Sequence, residues 1–410
     1  MQSLRTLLGL VRLAAGRAWA VVRPVAGIVS PLGWIVAGVA LVTGLTGAFL
    51  GWPEFRFLAL TLAAGLLVAF AFLAGRERFR VEVELRPRRV VAGERAFGRL
   101  LVVNAGARRS TPARLELPVG RGEAEFGIPA LAPGAEHEEL FAVPTQRRAV
   151  IVAGPAVSVR GDALGLVRRS VRWSDPVELF VHPRTVRLRP SAAGLVRDLE
   201  GEVTPTITNN DLAFHALRPY EPGDDRRYVH WRTSARTGQL MVRQFNETRR
   251  SELVLLHAAD EAGYASEDEF ELAVSVLASI AAQVLRDGTR LRVVSGVADR
   301  VLELRTATPV TMLDDSARIE PRPAGASTVR DLAREATRRH PAPSVLVLVA
   351  GAATPIADLR AADSLFGPDT RTIALRVEAG AEPRLSILSG LAVVTIGELG
   401  DLPGLMRKLT

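Results

Sequence analysis

Residues 252–288 read ELVLLHAADEAGYASEDEFELAVSVLASIAAQVLRDG. The first part is an apolar run ending at "HAA", of a length that suits a buried strand. From Glu267 the apolar residues recur at helical spacing, until Gly288 supplies a stop, so the second part is an amphipathic helix. A buried strand followed by a helix is the unit of a parallel, doubly wound sheet. The strand pattern returns in "TRLRVVSG" (289–296), "SVLVLVAG" (344–351), "TRTIALRV" (370–377) and "LAVVTIG" (391–397). Helical patterns occupy "STVRDLAREATRRH" (327–340) and "DLPGLMRKLT" (401–410). Residues 251–410 are therefore expected to fold as an α/β domain with a mostly parallel sheet.

Towards the N-terminus the period changes. "RVEVELRP" (80–87), "GRLLVVNAG" (98–106) and "ARLELPV" (113–119) look like half-buried strands, with turn signals at "VAGE", "NAGA", "LAPGAE", "VAGP" and "RGDALG". Short strands at that spacing predict a β-sandwich over 80–189, with no acid–base or metal constellation in it. Residues 190–250 are expected to hold a linker, "PSAAGLVRDLEGEVTPTITNND" (190–211), and then a dense polar motif.

Two uncharged runs precede the strands. One extends from Pro24 to Pro53 and the other from Phe57 to Gly75, and each is long enough to cross about 30 Å of hydrocarbon as a helix. They are too long, and too close together, for a cleaved signal peptide. The prediction is a transmembrane hairpin over 31–75 behind a basic cytoplasmic leader, 1–30. Residues 1–80 carry eight arginines (5, 12, 17, 23, 56, 76, 78, 80) against Glu54 and Glu77, which is +6 of the chain's net +8. Only Glu54 and Arg56 lie near the tip of the hairpin. By the positive-inside rule the expectation is a two-pass plasma-membrane protein with both termini in the cytoplasm. The excess charge thus reads as topology rather than as nucleic-acid affinity. The chain of 410 residues has no cysteine, which excludes disulfides, thiolate catalysis and cysteine-based metal clusters. The fold class expected overall is an α+β multidomain membrane protein.

The polar motif, "RPYEPGDDRRYVHWRTSARTG", runs from Arg218 to Gly238. Pro222-Gly223 is a turn dipeptide, and Asp224 or Asp225 is a natural N-cap for the segment after the turn. "RRYVHWRTSAR" (226–236) is expected to make about three helical turns with Val229, Trp231 and Ala235 inward, and "QLMVRQFNE" (239–247) to return as a strand. Asp224, Asp225, His215 and His230 are metal-ligand types at spacings that match no recognised site. Acid–base work by the paired aspartates is opposed by the surrounding arginines, which lower carboxyl pKa values. Nucleic-acid stacking on Tyr228 and Trp231 is opposed by the interleaved carboxylates. An Asp–Arg network that fixes a helix, or presents it to a partner, suits the fork geometry of arginine best. No cofactor, metal site or catalytic set is expected.

The order of residues in "LRPYEPGDDRRYVHWRTSARTGQLMVRQF" closely resembles the signature of the domain-of-unknown-function 58 family. The resemblance falls on Arg218, Tyr220, Pro222, Gly223, Asp224, Asp225, Arg227, Val229, Trp231, Ser234, Ala235 and Arg236, with His230 inside the same run. The upstream "GPAVSVRGDALGLVRR" and "VELFVHPRTVRL" also look like the family's lead-in, although Ala163 and Leu164 depart from its commonest residues. The resemblance implies a membrane-anchored protein whose C-terminal domain is similar to the von Willebrand factor A fold. That fold often holds magnesium on an Asp-x-Ser-x-Ser element after its first strand. Here "LLHAADEAGYAS" stands there, with Asp260 and Glu261 but no Ser-x-Ser. Family members are commonly encoded beside MoxR-type AAA+ ATPases and transglutaminase-like membrane proteins, which implies an interaction or assembly factor in envelope-protein maturation. The alternatives are a hydrolase using Asp224, Asp225 and His230, or a membrane-associated nucleic-acid binder.

Overall fold

The computed structural model describes residues 27–73, 78–188, 213–246, 252–297, 300–325 and 328–409. Most of the leader and all of the linker expected from the sequence lie outside these residues. The chain divides into two units: residues 1–146 with 150–180, and residues 147–149 with 181–410.

The first unit begins with two apolar helices, α1 (Pro31–Leu50) and α2 (Pro53–Phe72). Each has 20 residues, about 30 Å at 1.5 Å per residue, and both are long and apolar enough to cross a membrane. Ser30 caps α1 by accepting from the Gly33 N–H, and Gly51 ends it at φ +74°. At the far end Arg56 Nε donates to the Gly47 carbonyl at 2.8 Å. Glycine is required at 47, because a Cβ there would lie 2.8 Å from both Arg56 N and Cγ. Large apolar side chains point outward along both helices, Phe49 being 86% and Phe57 74% exposed.

The strands of this unit are β1 (Phe79–Arg86), β2 (Arg89–Val91), β3 (Ala96–Asn104), β4 (Ala113–Val119), β5 (Gly122–Ile128), β6 (Glu136–Val143), β7 (Ala149–Ala153), β8 (Val157–Gly161), β9 (Arg168–Arg172) and β10 (Val177–His182). They form a three-stranded sheet, β1-β3-β6, and a larger one in the order β2-β10-β7-β4-β8-β9, with β5 on β4. Alternate residues are buried along β1 and β3, as the period-two pattern predicts. The turn before β9, residues 162–167, seats the hairpin. Asp162 accepts from the Leu164 and Val167 N–H groups at 2.9 and 2.8 Å, which presents the Leu166 carbonyl to the Ser30 N–H at 3.0 Å. Leu166 and Val167 are buried with Ala69 and Leu73 of the helical hairpin.

In the second unit, β11 (Ala213–Pro219), α3 (Trp231–Thr237) and β12 (Met241–Asn246) make a small module. Then come β13 (Glu252–His257), α4 (Glu267–Arg286), β14 (Arg290–Val297), β15 (Arg300–Leu304), α5 (Pro309–Ser316), α6 (Val329–Arg339), β16 (Val345–Gly351), α7 (Ile356–Asp363), β17 (Arg371–Val377), β18 (Arg384–Leu388), β19 (Leu391–Ile396) and α8 (Leu402–Leu409). Seven strands form one sheet in the order β15-β14-β13-β16-β17-β19-β18. The five inner strands run parallel, and β15 and β18 are antiparallel edges. Helices cover both faces. Leu253 and Leu255 pack with Phe270 and Ile280 of α4 and with Leu405 of α8, while Val254 and Leu256 pack with Leu332 of α6 and Leu359 of α7. Both faces being covered explains why β13 and β16 read as continuous apolar runs. The fold is thus mixed α and β, with two apolar N-terminal helices and several sheets.

Candidate functional site

β11 and β12 pair antiparallel, Pro219 opposite Met241, and residues 220–240 fold back onto this hairpin. Two backbone links close the fold: the Tyr220 N–H donates to the Leu240 carbonyl and the His230 N–H to the Met241 carbonyl, each at 2.8 Å. Gly223 turns the chain at φ +115°, which suits a residue without a Cβ.

The adjacent aspartates serve different ends. Asp224 takes the Arg218 fork in bidentate fashion, Nη1 at 2.7 Å and Nη2 at 2.6 Å, and also accepts from the Glu221 N–H at 2.9 Å. Asp225 accepts from the Arg227 N–H at 2.9 Å, which caps a single 3-10 turn over Arg226–Tyr228, and from Arg227 Nε and Nη2 at 2.9 and 2.7 Å. Hydrogen bonds from Arg218 hold the Asp224 carboxyl below the usual carboxylate range, and those from Arg227 do the same for Asp225. Both stay ionised at neutral pH, so neither is a general acid there.

The expected three-turn helix is broken in two. After the 3-10 turn, Val229 is extended, buried, and bridged to Val242. His230 then caps α3, its Nδ1 accepting from the Thr233 N–H at 3.2 Å. Restarting the helix at residue 231 changes its phase. Trp231 is 67% exposed and Ala235 is exposed, whereas Ser234 faces inward. The Ser234 hydroxyl donates to the His230 carbonyl at 3.1 Å and accepts from the Met241 N–H at 2.8 Å, joining α3 to β12. Gly238 ends α3 at φ +71°. Of the two expected caps, Asp225 caps only the 3-10 turn and Asp224 ties a turn instead, leaving α3 to His230.

With Asp224 and Asp225 engaged by Arg218 and Arg227, four further arginines, 226, 232, 236 and 243, stand exposed on the module beside exposed Trp231 and Leu240. Arg232 and Arg236, four apart on α3, share a face. His215 lies on β11, but its side chain is outside the description. Among the described residues no group of three or more His, Asp or Glu is placed to hold a metal ion.

A second cluster occupies the end of β13. His257 is fully buried, its Nδ1 2.9 Å from Ser295 Oγ and its Nε2 3.2 Å from the Tyr264 hydroxyl, which donates to the Ala258 carbonyl at 2.5 Å. Burial pushes the His257 pKa down to about 3 and the Tyr264 phenol up. His257 is a neutral core residue here. The sequence places it at a strand end, but nothing local announces the Tyr264 and Phe270 rings that enclose it.

Comparison with known proteins agrees with the signature. Residues 216–386 match the family model described as "Protein of unknown function DUF58". The uncharacterized protein YeaD of Bacillus subtilis (strain 168) is 30% identical over 262 residues, covering 59% of this chain and 61% of that protein. The chain thus spans about three fifths of the length of this curated relative. Among solved structures, the CARDB domain of the PF1109 protein from Pyrococcus furiosus gives a TM-score of 0.20 at 13% identity, over 26% of this chain and 93% of the other. The putative ApaA protein of Bordetella pertussis gives 0.19 at 16% identity, over 26% and 94%. At those scores the likeness carries no weight.

Proposed function

From the DUF58 match over residues 216–386, we propose that this chain is a membrane-anchored, cytoplasm-facing interaction or assembly factor whose polar module is its docking surface. Its partner in this reading is a MoxR-type AAA+ ATPase, and its clients are envelope proteins, with a transglutaminase-like membrane protein as a further associate. One observation carries the reading. The ion pairs of the module, Arg218 with Asp224 and Arg227 with Asp225, are satisfied internally, while Trp231 and four arginines face outward. A rigid scaffold that displays tryptophan and arginine has the composition of an interface hot spot. The two long apolar helices support the membrane anchor.

The sheet supports likeness to the von Willebrand factor A fold. Its order places the first two strands and an antiparallel third on one side, and the later strands on the other. The hydrolase reading gains nothing from the geometry, because both carboxylates it would use are locked by arginines. The same carboxylates oppose phosphate binding.

The test is co-purification of intact protein from mild detergent. Wild type is compared with Trp231→Ser/Arg236→Ser, which alters only exposed side chains. An ATPase recovered with wild type and lost with the double variant supports the docking reading. Equal recovery assigns docking elsewhere on the chain, and no ATPase with wild type removes the partner.

A further inference from the structure

We infer that the carboxyl-terminal edge of the sheet in the second unit carries an oxyanion site at Arg322, which binds a phosphate or carboxylate group. Among the described residues, Arg322 is a charge without a counter-charge. It is only 9% exposed, and its Nε is buried with no hydrogen-bond partner. Among the described residues no carboxylate pairs with its guanidinium. An arginine cannot discharge itself by losing a proton, so burial without a partner is unfavourable in the free protein.

The position is built rather than accidental. The Arg322 N–H donates to the Ala259 carbonyl at 2.7 Å, and the Arg322 carbonyl accepts from the Glu261 N–H at 2.9 Å. These bonds fix the backbone of residue 322 just beyond the end of β13. The side chain lies over Gly296, near the end of β14, where a Cβ would come within 3.0 Å of Arg322 Cδ and 3.4 Å of Nη1. The nearby carboxylate of Asp260 is committed elsewhere, accepting from the Ala262 N–H at 3.0 Å and the Gly325 N–H at 3.1 Å. The site therefore holds a positioned fork of donors at the end of parallel strands where open α/β sheets take their ligands. Among the described residues its Nε has no acceptor, and a ligand with two oxygens would supply one.

The site is independent of the polar module, and its experiment uses the detergent-solubilised full chain in chloride buffer. Thermal unfolding is followed while inorganic phosphate or malonate is added, for wild type, Arg322→Gln and Arg322→Met. Expected is a saturable rise of roughly 2 °C or more in the wild-type midpoint with one of the two anions, absent from both variants. Which anion works distinguishes a phosphate from a carboxylate ligand. In anion-free buffer Arg322→Met should be at least as stable as wild type, because it removes an uncompensated charge. Anion shifts of equal size in wild type and variants, or none in wild type, overturn the site. So does marked loss of stability in Arg322→Met, which would make the arginine a structural group.

Discussion

The two aspartates of the motif show how far a single residue can be read. That Asp224 and Asp225 diverge follows from their being neighbours, and that arginines hold them follows from the composition around them. Their folded pKa values are depressed, so the stability they contribute is present above the unfolded carboxyl range near pH 4. It is lost only as pH falls through the lower folded values. Asp224→Asn leaves the Arg218 fork with one neutral acceptor, and hydrogen exchange at the Tyr220 and Glu221 amides should speed up at pH 7 without global unfolding. Unchanged exchange there would show that the turn stands without the ion pair. His257 titrates with the same sign in a different window. Its folded value, about 3, lies below the ordinary 6.5, so its contribution is complete above pH 6.5 and declines as pH falls towards 3. At about 1.4 kcal/mol per pH unit, the loss between pH 7 and pH 5 is roughly 2 kcal/mol. Denaturant unfolding at the two pH values should show His257→Gln to be less pH-dependent than wild type by about that amount. Parallel slopes would mean that the ring is not held neutral. Trp231 is not legible at this scale, since an aromatic side chain points inward by composition and only the phase of its helix turns it out.

That phase belongs to the scale of the element. α4 is legible because its apolar stripe is long and its start is marked by Ser266 and three acidic residues in the first turn. The run 226–236 is not. Its seven-residue helix has too few turns to average out a shift in register, and Val229 pairs with Val242 instead of joining it. The helix depends on Ser234 for its attachment to β12. Ser234→Ala strands the Met241 N–H, which should cost about 1–3 kcal/mol locally. Exchange of the Met241 amide should rise strongly while the unfolding of the large sheet stays as in wild type. A loss of cooperativity across the whole second unit would instead mean that the module and the sheet fold as one. The edge strands β15 and β18 escape reading for a related reason. They are five residues each and lack the apolar density of strands buried on both faces, Ile387 of β18 being 76% exposed.

At the scale of the whole molecule, the proposed orientation rests on where charge is absent. Gly51 and Trp52 separate the 20-residue helices α1 and α2, Glu54 and Arg56 are the charged residues near the turn, and Arg56 donates to the Gly47 carbonyl. The basic residues lie at the other ends, so the proposed orientation places the turn outside and the polar module in the cytoplasm. The sequence makes this testable, because a chain with no cysteine reports any introduced thiol without background. Trp52 is 51% exposed at the turn and Arg236 is exposed on α3. A membrane-impermeant maleimide applied to intact cells with a permeable outer layer should label Trp52→Cys. It should label Arg236→Cys only after the membrane is opened. Labelling of Arg236→Cys but not of Trp52→Cys in intact cells would reverse the orientation. It would also remove a nucleotide-driven ATPase as partner, since no nucleotide pool serves the outer face. Labelling of both thiols in intact cells would mean that the two helices lie along the membrane rather than through it. In that case their length would reflect interfacial packing, and the positive-inside rule would no longer apply.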